Sequence, residues 1–260
     1  MIRERLMRNE PAVRNGFRLR GLGETSRVEA LSDGVFAFAI TLLVVSLEVP
    51  RTFDQLLVMM RGFLAFAITF AMLFHVWFVQ YNFFRRYGLN DNFTTWMTGL
   101  LLFVVLFYVY PLKFVWNLIV NVVLGFGRTV EVGGQMVPAV RAAQMPSLLA
   151  VYGAGFAAVF LIFALLYWHA YRKRAGLELN ALETHDTWSY VQANALMALV
   201  GLVSVTLALT NTGASSLLAG LSYWLIGPVQ YLHGRRRYKA RRKLEAQASS
   251  PELGQAEAGL

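Results

Sequence analysis

Long apolar runs alternate with short charged segments from residue 33 onward. A helix that crosses a hydrocarbon layer of about 30 Å needs roughly 20 mostly apolar residues, and six runs meet that need. The first extends from about Gly34 to Val49 and ends at Glu48 and Pro50; the second extends from Gly62 to Phe84, behind Arg61. The third runs from Phe93 past Pro111 to an interface marked by Lys113, and the fourth from Pro146 to Tyr171, where Arg172-Lys173-Arg174 stops it. Two more, Trp188 to Thr210 and Ser215 to Leu232, form a hairpin through the uncharged turn Asn211-Thr212-Gly213-Ala214. The pattern predicts an all-α membrane protein of six transmembrane helices. Pro111 and Pro228 are expected to kink or end theirs.

Composition agrees with lipid as the main solvent. Of 260 residues, 57% are apolar and only 15% charged, against about 25% charged in soluble domains, and mean hydropathy is +0.48. The absence of cysteine excludes disulfide scaffolds, thiolate metal sites and thiol nucleophiles. A net charge of +9 would suggest nucleic acid in a soluble protein, but here the basic residues cluster between apolar blocks. Nineteen of the 24 Lys and Arg fall in residues 1–32, at Arg85 and Arg86, at residues 172–174 and in the tail from Gly234. Basic residues that flank spans stay on the cytoplasmic side, so both termini are expected in the cytoplasm. The chain thus divides into a basic N-terminal segment (1–32), a six-helix membrane domain (33–233) with an outer loop or hairpin at about 117–144, and a tail (234–260). The tail's basic run, Arg235 to Lys243, directly follows a span and faces anionic headgroups of the bilayer rather than nucleic acid; Glu245 to Leu260 reads as disordered.

The most informative stretch is Arg27 to Leu43, which places charge at a membrane boundary. Ionisable groups at such depth are costly unless paired or hydrated, so Arg27, Glu29 and Asp33 should face protein or water. Ser32-Asp33 also suits a helix start, where side-chain oxygens accept from free backbone N–H groups. On a helical wheel Leu31, Leu42, Val45 and Val49 lie within about 40° of Phe38. Thr41 and Glu48 flank this apolar stripe, and Asp33 points away from it. Periodicity alone fits ordinary helix packing as well as a pore.

Arg27-x-x-x-Leu31-Ser32-Asp33, followed by Gly-Val-Phe-Ala-x-Ala-Ile-Thr-Leu-Leu-Val, resembles the Arg-x-x-x-Phe-Ser-Asp signature of the endosomal/lysosomal transmembrane potassium channels and their bacterial homologues. The resemblance implies the bacterial single-repeat form, a homotetramer in which the first helices of four subunits line the pore without a Thr-Val-Gly-Tyr-Gly filter. By that likeness Phe38, Leu42 and Val45 form the apolar constriction, Thr41 adds a polar layer, and Arg27, Ser32 and Asp33 form an interhelical network. Four positions depart from the family pattern. Leu31 replaces the signature Phe, and Phe38 stands where Ile or Leu is usual. The family's Trp-x-x-His-His-x-x-Phe is matched by Trp77-Phe78-Val79-Gln80-Tyr81-Asn82-Phe83-Phe84, without either histidine, which leaves His75, half a turn earlier, as a substitute member of the network.

These observations point to a potassium-preferring cation channel of a bacterial inner membrane, not an enzyme, with K+ as the permeant ion and no other cofactor. Glu48 is placed to concentrate cations at the outer mouth. Two alternatives stay open: a proton-linked secondary transporter, which should show interrupted helices in paired positions and a mid-membrane carboxylate, and a nonconducting membrane scaffold sealed by Phe38. Val151-Tyr152-Gly153-Ala154-Gly155 imitates a filter but sits in a long apolar helix, where small residues serve packing. His169, His185 and His233 lack metal-ligand spacing, and there is no phosphate loop or nucleophile elbow.

Overall fold

A computed structural model describes residues 13–14, 17–21, 23, 25–45, 50–125, 127, 129–132, 134–210 and 215–257. A minimal hairpin, β1 (Val13–Arg14) and β2 (Phe17–Arg18), precedes α1 (Arg27–Val45), α2 (Phe53–Arg61), α3 (Phe63–Tyr87) and α4 (Asn92–Val123). A second antiparallel hairpin, β3 (Thr129–Val132) with β4 (Gln135–Pro138), leads through a short 3₁₀ turn to α5 (Met145–Arg172) and α6 (Ala181–Leu209). The chain ends in α7 (Ser215–Leu221), a 3₁₀ segment (Ser222–Leu225) and α8 (Ile226–Glu257). Among the described residues four helices, α3, α4, α5 with its preceding turn, and α6, are long and apolar enough to cross a membrane.

Several elements differ from the pattern-based expectation. The last apolar run is broken: Pro228 has no N–H to give Trp224, so the backbone tightens into 3₁₀ geometry upstream and restarts at Ile226 with the proline in the first turn. Pro111, by contrast, lies inside an unbroken α4. That helix runs on to Val123, so the outer hairpin begins later than residue 117. The Pro50–Arg61 connection holds a surface helix, α2, capped by the Thr52 hydroxyl accepting from the Gln55 N–H. Its Phe53, Leu57 and Met60 share one exposed face. α8 continues through Glu257, where composition suggested disorder; the Ala, Glu, Gln and Leu of that stretch are strong helix formers. The turn at residues 211–214 lies outside the described residues.

Packing inside a bilayer gains nothing from expelling water, so helix association rests on close backbone approach and hydrogen bonds. α5 and α6 show this directly. A Cβ on Gly153 would lie 3.1 Å from the Gly201 carbonyl oxygen, and one on Gly155 would lie 2.2 Å from the Tyr108 ring. The filter-like segment is therefore a packing surface. Tyr108 also donates to the Tyr152 carbonyl at 2.7 Å. Around this pair Leu101 and Val105 of α4, Phe83 and Tyr87 of α3 and Phe163 and Leu166 of α5 form the core.

Residues 17–21 are clamped onto the end of the bundle where α3 ends and α6 begins. Glu183, fully buried, closes a capping box with Asn180. Its carboxylate accepts from the Arg18 backbone N–H at 2.6 Å and from Arg20 Nη2 at 2.8 Å. Phe17 packs edge-on against Tyr87, with Arg86 over its other side. Gly21 donates to the Arg85 carbonyl, and a Cβ there would strike Phe84 O at 2.2 Å. Burial alone would raise the Glu183 pKa, but the Arg20 guanidinium and the N–H groups of Arg18 and Asn180 hold it below the usual carboxylate value. Glu183 lies five residues before the apolar run that starts at Trp188.

Glu183→Gln should destabilise the protein by about 3 kcal/mol, the lower end for breaking a buried ion pair because Arg20 keeps some contact with water, and should speed tryptic cleavage after Arg18 and Arg20. Because the native pKa is depressed, the contribution is fully present above the ordinary value of 4.5 and is lost as pH falls through the native one. Proteolysis rate against pH, for wild type and variant, checks both.

Candidate pore helix and its polar anchor

α1 begins one residue after Ser26, whose hydroxyl accepts from the Glu29 N–H at 3.2 Å while its carbonyl takes the Ala30 N–H. Ser26 is thus the cap, and Ser32-Asp33 is not a helix start. Ser32 lies inside the helix and its hydroxyl donates back to the Val28 carbonyl at 2.7 Å.

The helix has two unlike faces. Ser32, Phe36, Ala39 and Leu43 are buried against α3 and α4, at 3% exposure or less. On the other side Leu31 is 60% and Phe38 56% exposed. Arg27, Gly34, Ala37 and Thr41 share that open side, and Leu42 sits half-buried at its edge. The Thr41 hydroxyl donates to the Ala37 carbonyl at 2.9 Å. Its proton is thereby committed to the backbone, which leaves the oxygen lone pairs free to face outward. The side chain of Val45 and the whole of Glu48 lie outside the described residues. The apolar stripe through Phe38 is therefore not packed inside its own chain.

α1 is fixed to α3 by two hydrogen bonds, one at the exposed Asp33 and one at the buried Ser32. Trp77 Nε1 donates to Asp33 Oδ1 at 2.7 Å, and Gln80 Nε2 donates to Ser32 Oγ at 3.2 Å. These side chains, with Glu29 and Arg85, line a cavity of about 50 Å³ near the start of α1. Gln80 Oε1 is buried there without a hydrogen-bond partner among the described residues. At the other end Lys113 Nζ donates to the Leu43 carbonyl at 3.3 Å, one of the last-turn carbonyls that helix geometry leaves open. Lys113 is thus a tie to α1 as well as an interface marker.

The expected site residues divide accordingly. Ser32 and Asp33 enter the anchor. Arg27 is exposed, with no hydrogen bond or ion pair among the described residues. His75 does not join: it stands five residues before Gln80, about 140° around α3, and lines an apolar cavity of about 350 Å³ with Met72, Tyr108 and Phe160. Half a turn along a helix is a move to its other side. The partners missed from sequence, Trp77 and Gln80, occupy the first and fourth positions of the segment compared with Trp-x-x-His-His, so register along α3 was the available signal. A second polar cluster, at the same end of the bundle, joins α4 to α5. Asp91 caps α4 and accepts from His169 at 2.6 Å and from Lys173. Burial would raise its pKa, but these donors and Thr94 hold it well below the carboxylate range.

Comparison with known proteins completes the picture. Residues 27–108 match the family described as the endosomal/lysosomal potassium channel TMEM175. A potassium channel of Marivirga tractuosa is 38% identical over 231 residues, which cover 88% of this chain and 93% of the relative. The chain belongs to the TMEM175 family. It is a multi-pass membrane protein and not an enzyme. Its fold is similar to the crystal structure of a threonine-to-alanine variant of the potassium channel MtTMEM175 in complex with a nanobody–MBP fusion protein, with a TM-score of 0.74 at 36% identity over 88% of this chain and 99% of the other. The lysosomal potassium-selective channel TMEM175 homolog of Chamaesiphon minutus shares the fold at a TM-score of 0.50 and 23% identity, over 81% and 96% of the two chains. The matched family segment contains α1 and all of α3, and so the whole anchor.

Trp77→Phe keeps the aromatic packing and removes one donor to Asp33. It should lower stability by about 1 kcal/mol, read as a drop in melting temperature, while Phe78→Leu, on an exposed position of the same helix, should stay within about 0.5 kcal/mol.

Proposed function

We propose that this chain is a potassium-selective channel of a bacterial inner membrane that assembles as a homotetramer, with the open face of α1 from four copies around a central axis. The observation that carries this reading is the two-faced α1: one side packed against its own bundle, the other apolar and uncovered at Leu31 and Phe38, with Leu42 at its edge. Six membrane crossings, with α1 first and the run Ser215 to Leu232 last, and both termini in the cytoplasm, accord with the distribution of Lys and Arg. The relatives named above are potassium channels.

Four Phe38 side chains, with Leu42 and Val45 further along, make an apolar constriction. A cation must shed water to pass it, and K+ holds its water less tightly than Na+, so the dehydration barrier favours K+. The outward lone pairs of Thr41 replace part of the lost hydration. Arg27, on the open side of α1 and without an ion pair among the described residues, is placed to reach a neighbouring copy at the cytoplasmic end of the pore. Glu48, beyond the outer end of α1, adds negative charge at the mouth.

The alternating-access reading loses ground on Asp33. It is tied to Trp77 at the cytoplasmic end of α1, whereas a proton-coupled carrier requires a carboxylate at mid-membrane.

In liposomes loaded with K+, Phe38→Ala should raise K+ flux about tenfold, equivalent to about 1.4 kcal/mol from the barrier. Thr41→Ala should shift the reversal potential between K+ and Na+ toward zero. Absence of K+ flux from both wild type and Phe38→Ala would leave a scaffold as the better reading, and saturable flux coupled to a second solute would favour a transporter.

A further inference from the structure

Where α6 and α8 meet at the cytoplasmic boundary they enclose a groove of about 530 Å³. Its walls change character along their length. His185, His233 and Arg236 line one end, and Leu196 and Leu199 the other. From His185 to Leu199 is 14 residues of α6, about 21 Å at 1.5 Å per residue. The apolar run of α6 starts between them, at Trp188, whose indole is 41% exposed at the level where tryptophans mark the membrane interface. The polar end therefore lies at headgroup depth and the apolar end at acyl-chain depth.

The charges at the polar end leave one cation over. Asp186 is buried, and its oxygens receive Arg237 Nη2 at 3.2 Å and Arg241 Nη1 at 2.9 Å, with His185 Nδ1 at 3.7 Å. Arg237 also stacks on Tyr190 at 4.6 Å, so it is a structural tie between the two helices. His233 Nε2 is directed at the Ser189 carbonyl at 3.1 Å, and a carbonyl only accepts, so that nitrogen carries a proton. Arg236 alone of the arginines that line the groove is exposed and has no ion pair or hydrogen bond among the described residues. Lys239 and Lys243 follow it three and seven residues on, along the same side of α8.

We propose that this groove binds one anionic phospholipid of the cytoplasmic leaflet, with Arg236 on the phosphate, the imidazole of His185 beside it, and an acyl chain along Leu196 and Leu199. A free phosphate would satisfy only the basic end, and the apolar continuation of the same groove selects an amphiphile. The inference depends on the multi-pass membrane placement of the chain and is independent of where the pore lies.

The test uses the full-length protein in phosphatidylcholine vesicles containing spin-labelled phosphatidylglycerol, and reads the fraction of motionally restricted label. Wild type should retain phosphatidylglycerol over spin-labelled phosphatidylcholine. Arg236→Ala should lower that preference about fivefold, the worth of one basic residue near an anionic surface. Ala240→Trp, which fills the groove wall without changing charge, should lower it as much, whereas Arg242→Ala, on another side of α8, should not. Melting temperature and elution volume should match wild type in all three. Equal losses in Arg236→Ala and Arg242→Ala would overturn the proposal in favour of diffuse attraction. Equal competition by inorganic phosphate and lysophosphatidylglycerol would overturn it in favour of a free-anion site. Loss of assembly in Ala240→Trp would show the groove to be covered by a second copy, and would overturn it too.

Discussion

Two hydrogen-bonded ties, one near each end, set the rotation of α1 about its own axis. Near its N-terminus Ser32 and Asp33 meet Gln80 and Trp77; near its C-terminus the Leu43 carbonyl meets Lys113. A helix residue turns through about 100°, so slipping this registry by one position would carry Phe38 from the open side toward the bundle. In a bilayer no expulsion of water drives the helix into place, and polar contacts of this kind decide which stripe faces protein. The pore reading rests on that rotation.

The anchor is continuous with the joints at the same end of the bundle. Arg85, at the end of α3, donates to the Gly21 carbonyl and lines the cavity beside Asp33. Gly21 in turn follows the strand that Glu183 grips from the start of α6. The segment that enters α1 is therefore held by α3 and α6 together, through a glycine where any Cβ would collide with backbone. Asp91 with His169 and Lys173, and Asp186 with Arg237 and Arg241, add two more joints of the same kind. Each of these three carboxylates meets more than one donor, which is the condition under which charge is tolerated away from bulk water. A chain with a strong excess of cations uses its few acids as the joints between helices.

Gln80 and Tyr81 stand where the Trp-x-x-His-His pattern that this segment resembles has its two histidines, inside the stretch matched to the family. Gln80 keeps a donor toward Ser32, so the tie survives the exchange, but an amide has a fixed charge where an imidazole does not. Gln80 Oε1 is left buried beside the small cavity without a hydrogen-bond partner among the described residues. Tyr81 stacks on Trp77 at 5.4 Å and underlies Arg85 at 5.2 Å, so the second position supports the anchor through its ring.

Apolar periodicity, charge bias and the motif around Arg27 were sufficient to read an all-α membrane protein, its family, and the stripe through Phe38 and Leu42, because each depends on residues near one another in the chain. The glycines of residues 153–155 were legible as packing for the same reason. Which side of α1 is covered, and by what, was not: Asp33 and Trp77 are 44 residues apart, and apolar periodicity alone does not distinguish the face of α3 that carries Gln80 from the one that carries His75. The break before Pro228, the grip of Glu183 on the N-terminal strand and the two-character groove beside Arg236 likewise exist only where distant segments meet. A helix determines its own stripes, and only its neighbours determine which of them remains open.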